Sequence, residues 1–310
     1  MECLNAVLGE YPGSKLLKIG LRADFCYVNF CLGYNWILLR IETNELANIM
    51  KIGFFDSGLG GLTILKATAK ELPDYDYLYY GDTENLPYGD KTESEIYAHT
   101  TKGVAYLFDK GCALVILACN TASAETARKL QREFIPSEYP DRKVLGIIVP
   151  TVEAVSGEPA SSAILIATRR TVESKKYQIE LNQKTTSTIS LTSIATPQLV
   201  PLIELNELEA ASHEAIRVIQ AKAGESEVVI LGCTHYTQIK QQLRDHFGES
   251  KKIISQDEVI PEKLRLYLEA HPEITETLTR GGSRNIHLTR HRPDYDTFMG
   301  QLLGGIYLAE

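Results

Sequence analysis

From residue 50 onward, short apolar runs alternate with amphipathic stretches. The runs at 52–55, 75–80, 113–118, 144–149, 163–167 and 228–231 are β-branched or aromatic and mostly free of charge, as strands buried on both faces are. Between them, 62–72 places Leu62, Leu65, Ala69 and Leu72 on one stripe, and 93–110, 122–134, 208–221 and 236–247 have the same helical character. Strand–helix alternation predicts parallel sheets flanked by helices on both faces. No short-period repeat is present, but there is a looser echo. One strand ends in Ala118-Cys119-Asn120-Thr121 and another in Gly232-Cys233-Thr234-His235, each running into a helix. Two similar domains facing each other would produce that pair.

The first 49 residues break the pattern, with neither clear helical periodicity nor clear alternation. They hold the only Trp, Trp36, and three of the six cysteines, Cys3, Cys26 and Cys31. At Met50 the character changes: Met50-Lys51-Ile52-Gly53-Phe54-Phe55-Asp56 reads as a first buried strand starting at an initiator. Two readings stay open, an upstream start assignment before a biological start at Met50, or an appended segment. The uncharged run 25–39 contains Asn29, Gly33 and Asn35 and is too short to cross a bilayer. No short basic stretch precedes it, since Glu2, Glu10 and Asp24 intervene, so a signal peptide is disfavoured and a cytoplasmic protein is expected.

Composition bounds the picture. The 310 residues, 44% hydrophobic and 23% charged, suit two ordinary α/β domains and argue against wholesale disorder. The net charge of −8 lacks the basic footprint of most nucleic-acid binders. Six cysteines in such a length are not a disulfide scaffold, and none is paired as Cys-x-x-Cys, which disfavours a zinc site or a local redox couple.

Four motifs could carry chemistry. Asp56-Ser57-Gly58-Leu59-Gly60-Gly61 follows a strand and precedes a helix, where backbone N–H groups can hold an anion. Its spacing is neither that of a dinucleotide fold nor that of a P-loop. Asp56 suits an ammonium partner or a proton network; the plain alternative is that it caps the next helix. Gly81-Asp82-Thr83, with Pro87-Tyr88-Gly89, lies at the carboxyl end of a strand, where α/β sheets bind ligands, and a simple turn is its plain alternative. Cys119 and Cys233 each sit at a predicted helix N-terminus, which should lower the thiol pKa and make a usable base. Cys112 reads instead as a small core residue. Two thiols on opposite sides of one substrate carbon explain both strand-end cysteines: one removes a proton, the other donates one to the opposite face, and the stereocentre inverts.

Taken together, Asp56-Ser57-Gly58-x-Gly60-Gly61, Gly81-Asp82-Thr83 with Pro87-Tyr88-Gly89, Ala118-Cys119-Asn120-Thr121-Ala122-Ser123 and Gly232-Cys233-Thr234-His235-Tyr236 resemble glutamate racemases of the aspartate/glutamate racemase superfamily. The resemblance runs from Met50 nearly to the end. It implies two flavodoxin-like parallel-sheet α/β domains with the active site in the cleft between them, at 50–143 plus 256–310 and at 144–255. It further implies no pyridoxal phosphate or other cofactor, no metal, a homodimer, and product D-glutamate feeding cell-wall synthesis. Cys119 would deprotonate D-glutamate and Cys233 L-glutamate, with Asp56 and His235 assisting. Ser57, Pro87, Tyr88, Gly89, Asn120, Thr121, Thr171 (or Thr168) and Thr234 would hold the substrate, with Asp82 and Glu204 as further site-lining acids. Glutamate over aspartate is implied by His235 and Ser123, since aspartate racemases typically carry an acidic residue and a His there.

One departure stands out. The family's Gly-Thr-x-Gly-Thr turn reads Ala167-Thr168-Arg169-Arg170-Thr171 here, so Arg170 occupies a position where positive φ is expected and the loop geometry is open. Three alternatives remain: a racemase of aspartate, a hydantoin or another small acid; a one-base thiol enzyme on the same scaffold; and a non-catalytic small-ligand-binding homologue.

Overall fold

The computed structural model describes residues 18–22, 25–32, 35–42, 50–184, 189–222, 226–293, 295–296, 299–300 and 308–309. The chain divides into two compact units, 1–50 and 51–310. In the first, strands β1 (Lys18–Arg22), β2 (Phe25–Leu32) and β3 (Asn35–Glu42) pair antiparallel, with Lys18 opposite Asn29 and Phe25 opposite Glu42. The sequence pattern gives no hint of this sheet, and the uncharged run 25–39 spans β2 and enters β3. Cys3 lies outside the described residues.

The second unit contains two sheets among its described residues. The first has the order β13-β12-β5-β4-β6-β7, with β4 (Lys51–Asp56), β5 (Tyr77–Gly81), β6 (Cys112–Leu117), β7 (Lys143–Gly146), β12 (Arg284–Leu288) and β13 (Leu308–Ala309). The second has the order β11-β10-β8-β9, with β8 (Ser162–Ala167), β9 (Ser190–Ala195), β10 (Val228–Gly232) and β11 (Lys252–Ile254). Every pairing in both is parallel. Counted from its own first strand, each sheet runs 2-1-3-4 through β5-β4-β6-β7 and β9-β8-β10-β11. This is the doubly wound order, whose ligand site lies where the chain reverses direction between strands 1 and 3. That switch point is β4/β6 in the first sheet and β8/β10 in the second.

The charge-free runs became the central strands. All residues of β5, β6 and β10 are buried, and β4 and β8 are buried beyond their first residue. Along β8 and β10 the side chains alternate between two cores. Ile164, Ile166, Val229 and Leu231 enter one, and Ala163, Leu165, Val228 and Ile230 the other, as a two-residue period with both faces covered requires. The strands the pattern misses are the half-exposed edge β9, the three-residue β11, the two-residue β13, and β12, in which only Ile286 is buried. The apolar run 144–149 splits: it ends β7 and then begins helix Ile148–Ser156, because apolarity alone does not separate strand from helix.

Helix Ile148–Ser156 carries the chain out to the second sheet, and helix Gln256–Ala270 brings it back to pack on helix Leu62–Glu71. The limit expected at residue 144 falls within β7, whose pairing with β6 keeps the first sheet going to Gly146. No helix among the described residues is long and apolar enough to cross a membrane.

Candidate active site

The carboxyl ends of both switch points open into one cavity of about 380 Å³. Its wall includes Ser57, Pro87, Tyr88, Gly89, Cys119, Asn120, Thr121, Glu204, Cys233, Thr234 and His235, all expected from sequence. Cys119 follows β6 and Cys233 follows β10, the third strand of each sheet. Both are 6% exposed. The loop glycines permit the close approach: a Cβ on Gly60 would lie 2.4 Å from Thr234 Oγ1 and 2.9 Å from His235 Nδ1. Thr121 Oγ1 lies 2.9 Å from Thr168 Oγ1, a hydroxyl contact between the helix that follows β6 and the residue that follows β8.

Cys119 is the N-cap of helix Asn120–Lys129, its sulfur accepting from Ala122 N–H at 3.4 Å while its thiol donates to Ser57 Oγ at 3.4 Å. The thiol pKa is nevertheless pushed up to about 12, mainly by burial, with the Asp56 charge adding and the Ser57 and Ala122 contacts opposing. This corrects the expectation of a lowered value at this helix terminus. The terminus contributes about 0.3–1 kcal/mol, and loss of hydration around a buried thiolate outweighs it. Cys233 opens a 3₁₀ turn, Thr234–Ile239, with the α-helix starting only at Lys240, and its side chain makes no cap bond. A sulfur poised over a full helix terminus is therefore found at Cys119 alone.

The surroundings of Cys233 are different. Its sulfur lies 3.7 Å from His235 Nδ1, and His235 Nε2 lies 3.2 Å from Glu204 Oε1, close but off the hydrogen-bond axis. Burial opposes a charge on His235, yet Cys233 and Glu204 more than offset it and raise its pKa well above the usual histidine value. Asp56, fully buried behind the wall, accepts from Gly58 N–H at 2.8 Å and from Thr234 Oγ1 at 3.4 Å. Burial raises its pKa, opposed by the His235 charge and by the N–H groups of Gly58 and Gly61. Asp56 thus influences both sulfur environments. It is not the N-cap of helix Leu62–Glu71, which is Gly61.

Besides Asp56, two expected residues lie outside the wall. Asp82 holds its own loop, accepting from Tyr88 OH at 2.6 Å and from Asn85 Nδ2 at 2.9 Å, and does not line the cavity. Thr171 is buried behind Thr168, with its Oγ1 3.0 Å away, and Thr168 is the one that reaches the wall. Arg170 does not need positive φ: it lies in helix Arg169–Glu173 and its Nε sits 2.8 Å from Glu125 Oε1, while among the described non-glycine residues only Lys175 and Asn206 have positive φ. Ser123 faces away from the cavity and accepts from Ile147 N–H at 3.1 Å. Cys112 is core, packed against Gly53.

Sequence reasoning missed Arg169, Val200, Arg290, Arg292 and Tyr295 in the wall. The basic cluster Arg290-His291-Arg292 was a usable signal for part of this set. It also missed Tyr177 and Gln256, which hydrogen-bond to Asn120 from behind. Among the described residues, no cluster of three His, Cys, Asp or Glu side chains is placed to hold a metal ion.

Comparison with known proteins places this geometry in context. The profile of the Asp/Glu/hydantoin racemase family matches residues 63–259. A glutamate racemase of Dinoroseobacter shibae is 37% identical over 239 residues, covering 73% of this chain and 86% of that protein. Among solved structures, a glutamate racemase isoform of Bacillus anthracis aligns with TM-score 0.74 at 25% identity, over 85% of this chain and 97% of that one. The Francisella tularensis glutamate racemase, solved with D-glutamate, aligns with TM-score 0.71 at 25% identity over 85% and 96%.

Proposed function

The chain belongs to the Asp/Glu/hydantoin racemase family and within it stands with the glutamate racemases, and from that premise we propose that its cleft interconverts L- and D-glutamate by a two-base proton transfer between Cys119 and Cys233. The observation that carries the proposal is the shared position of the two buried thiols, each after the third strand of a like-wound sheet and both in the wall of one cavity.

The chemical difficulty is the weak acidity of the α-hydrogen. The substrate's ammonium, kept protonated, withdraws charge, and donors in the wall stabilise the carbanion-like transition state. In one direction Cys233 takes the α-proton and Cys119 delivers one to the opposite face; in the other the roles exchange. Burial keeps the resting Cys119 sulfur as S–H, ready to donate. His235, within 3.7 Å of Cys233, passes a proton to or from that sulfur. Asp56, behind both, is the partner for positive charge arriving with the substrate. Ser57, Tyr88, Gly89, Asn120, Thr121 and Thr234 supply hydroxyls, amides and backbone groups for the two carboxylates and the ammonium. Closure of the cleft excludes water and strengthens each contact. Both proton carriers come from the chain itself, so the scheme calls on no cofactor. Homodimeric assembly, a cytoplasmic location and supply of D-glutamate to peptidoglycan synthesis complete the reading; family membership supports them.

Circular dichroism of L-glutamate, and separately of L-aspartate, incubated with the purified reduced protein tests the proposal. Decay of the glutamate signal to zero is expected. Activity with aspartate alone, or with neither, overturns it.

A further inference from the structure

Asn120 follows Cys119 directly, lines the cavity, and is only 2% exposed. Its Oδ1 accepts twice, from Tyr177 OH at 2.6 Å and from Gln256 Nε2 at 3.2 Å. Gln256 Nε2 also donates to Tyr177 OH at 3.0 Å. These groups come from three separate stretches. Asn120 opens the helix that follows the first sheet's third strand, Tyr177 lies in helix Lys176–Lys184, and Gln256 begins the returning crossover helix. With Oδ1 taken by two donors, Asn120 Nδ2 is buried without a protein partner. A buried donor left unpaired is costly unless a ligand accepts from it, and the ligand of this cavity on the racemase reading is a dicarboxylate.

We propose that Gln256 and Tyr177 are positioning residues that lock the Asn120 amide with its NH₂ toward the cavity, where it donates to a substrate carboxylate. The proposal rests on the racemase reading. It opposes a definite rival arrangement. Gln256 Oε1 is also without a partner, and turning both amides over would let Asn120 Nδ2 donate to it. That arrangement makes the same number of contacts among the three side chains but presents an oxygen to the incoming carboxylate.

Gln256→Glu separates the two. A carboxylate at 256 accepts but cannot donate, so it draws the Asn120 NH₂ toward itself and turns the amide oxygen to the cavity. The expected result is a KM for L-glutamate raised about tenfold near pH 8 with kcat changed far less, since one charge-assisted bond is lost in binding. The defect should shrink as pH falls, because a buried carboxyl takes up a proton readily and then donates as glutamine does. Tyr177→Phe should raise KM by a smaller factor, about two- to threefold, since one of the two donors remains. Calorimetric binding of D-glutamate to the wild type and both variants gives a readout independent of turnover. If the wild type racemises nothing, the functional reading falls, and the binding ratios still decide the positioning role. A folded Gln256→Glu protein with wild-type KM and Kd across the pH range overturns the proposal and supports the rival arrangement. If that variant fails to fold, neutral Gln256→Met, which removes the donor without adding charge, is expected to raise KM, and an unchanged KM there overturns it equally.

Discussion

The two sulfur sites occupy the same place in two sheets of the same winding and yet are built differently. Cys119 caps a regular helix, bonds to a hydroxyl, and has the buried Asp56 carboxyl as a neighbour. Cys233 starts a 3₁₀ turn and has an imidazole 3.7 Å away that Glu204 helps to keep protonated. The fold supplies the symmetry that brings a sulfur to each face of a substrate carbon. The local sequence then breaks that symmetry, with a hydroxyl and a helix terminus at one sulfur and an imidazole at the other. A two-base racemase needs both properties. Equivalent positions give access to both faces, and different proton-holding groups let one sulfur give while the other takes.

The sharpest way to break the comparison is to remove either sulfur. Cys119→Ser and Cys233→Ser should each cut racemisation at least about a thousandfold in both directions, on the order of 4 kcal/mol or more of transition-state stabilisation, measured as initial rates from L- and from D-glutamate. A one-base enzyme would lose its rate at one cysteine and keep it at the other. Next in size is Gly60→Ala. Its new Cβ would lie 2.4 Å from Thr234 Oγ1 and press on His235, so a destabilisation of about 1–3 kcal/mol is expected, with a larger rate loss in the direction that uses Cys233 as base. Denaturant unfolding and directional rates check it.

Glu204→Gln sharpens the asymmetry through pH. Glu204 raises the His235 pKa, so the stability this contact contributes is present in full below the unfolded value of about 6.5 and is lost as pH rises through the raised folded value. The variant's deficit should therefore be largest near pH 6 and close on the alkaline side. It should stay below about 1 kcal/mol, because Glu204 is 45% exposed and screened. The alkaline limb of activity should move to lower pH. Thermal unfolding and pH–rate profiles read both effects. The smallest functional effect belongs to Cys112→Ala. That thiol is fully buried beside Gly53 and remote from the cavity, so activity should stay within about twofold while stability falls by about 1 kcal/mol.

Much of this was legible in the chain. The charge-free runs that became β4, β5, β6, β8 and β10 announced buried parallel strands, and the strand-end motifs put Cys119 and Cys233 at the switch points. The edge strands were not legible: Ser190–Ala195 is half exposed, and Lys252–Ile254 is too short to show a period. The antiparallel sheet before residue 50 gave no alternation to read. The thiol environment at Cys119 was misjudged for a physical reason. Sequence shows a helix terminus, but only the packed structure shows burial and the Asp56 charge, which prevail there. Tyr177 and Gln256 were invisible because they act on Asn120 from 57 and 136 residues away in sequence. Arg170 looked disruptive because the resemblance placed a glycine there, whereas the chain continues in a helical turn and pairs the guanidinium with Glu125.

The central claim is that two sulfurs act on opposite faces, and racemisation in D₂O tests it most directly. L-glutamate is incubated with the protein, and the deuterium content of each enantiomer is followed by mass spectrometry at low conversion. The account predicts that D-glutamate forms with deuterium at Cα while the remaining L-glutamate keeps its protium, because the donor sulfur carries a solvent-derived proton and the accepting sulfur a substrate-derived one. Deuterium entering both enantiomers equally from the first turnovers would show a single base serving both faces and would contradict the account.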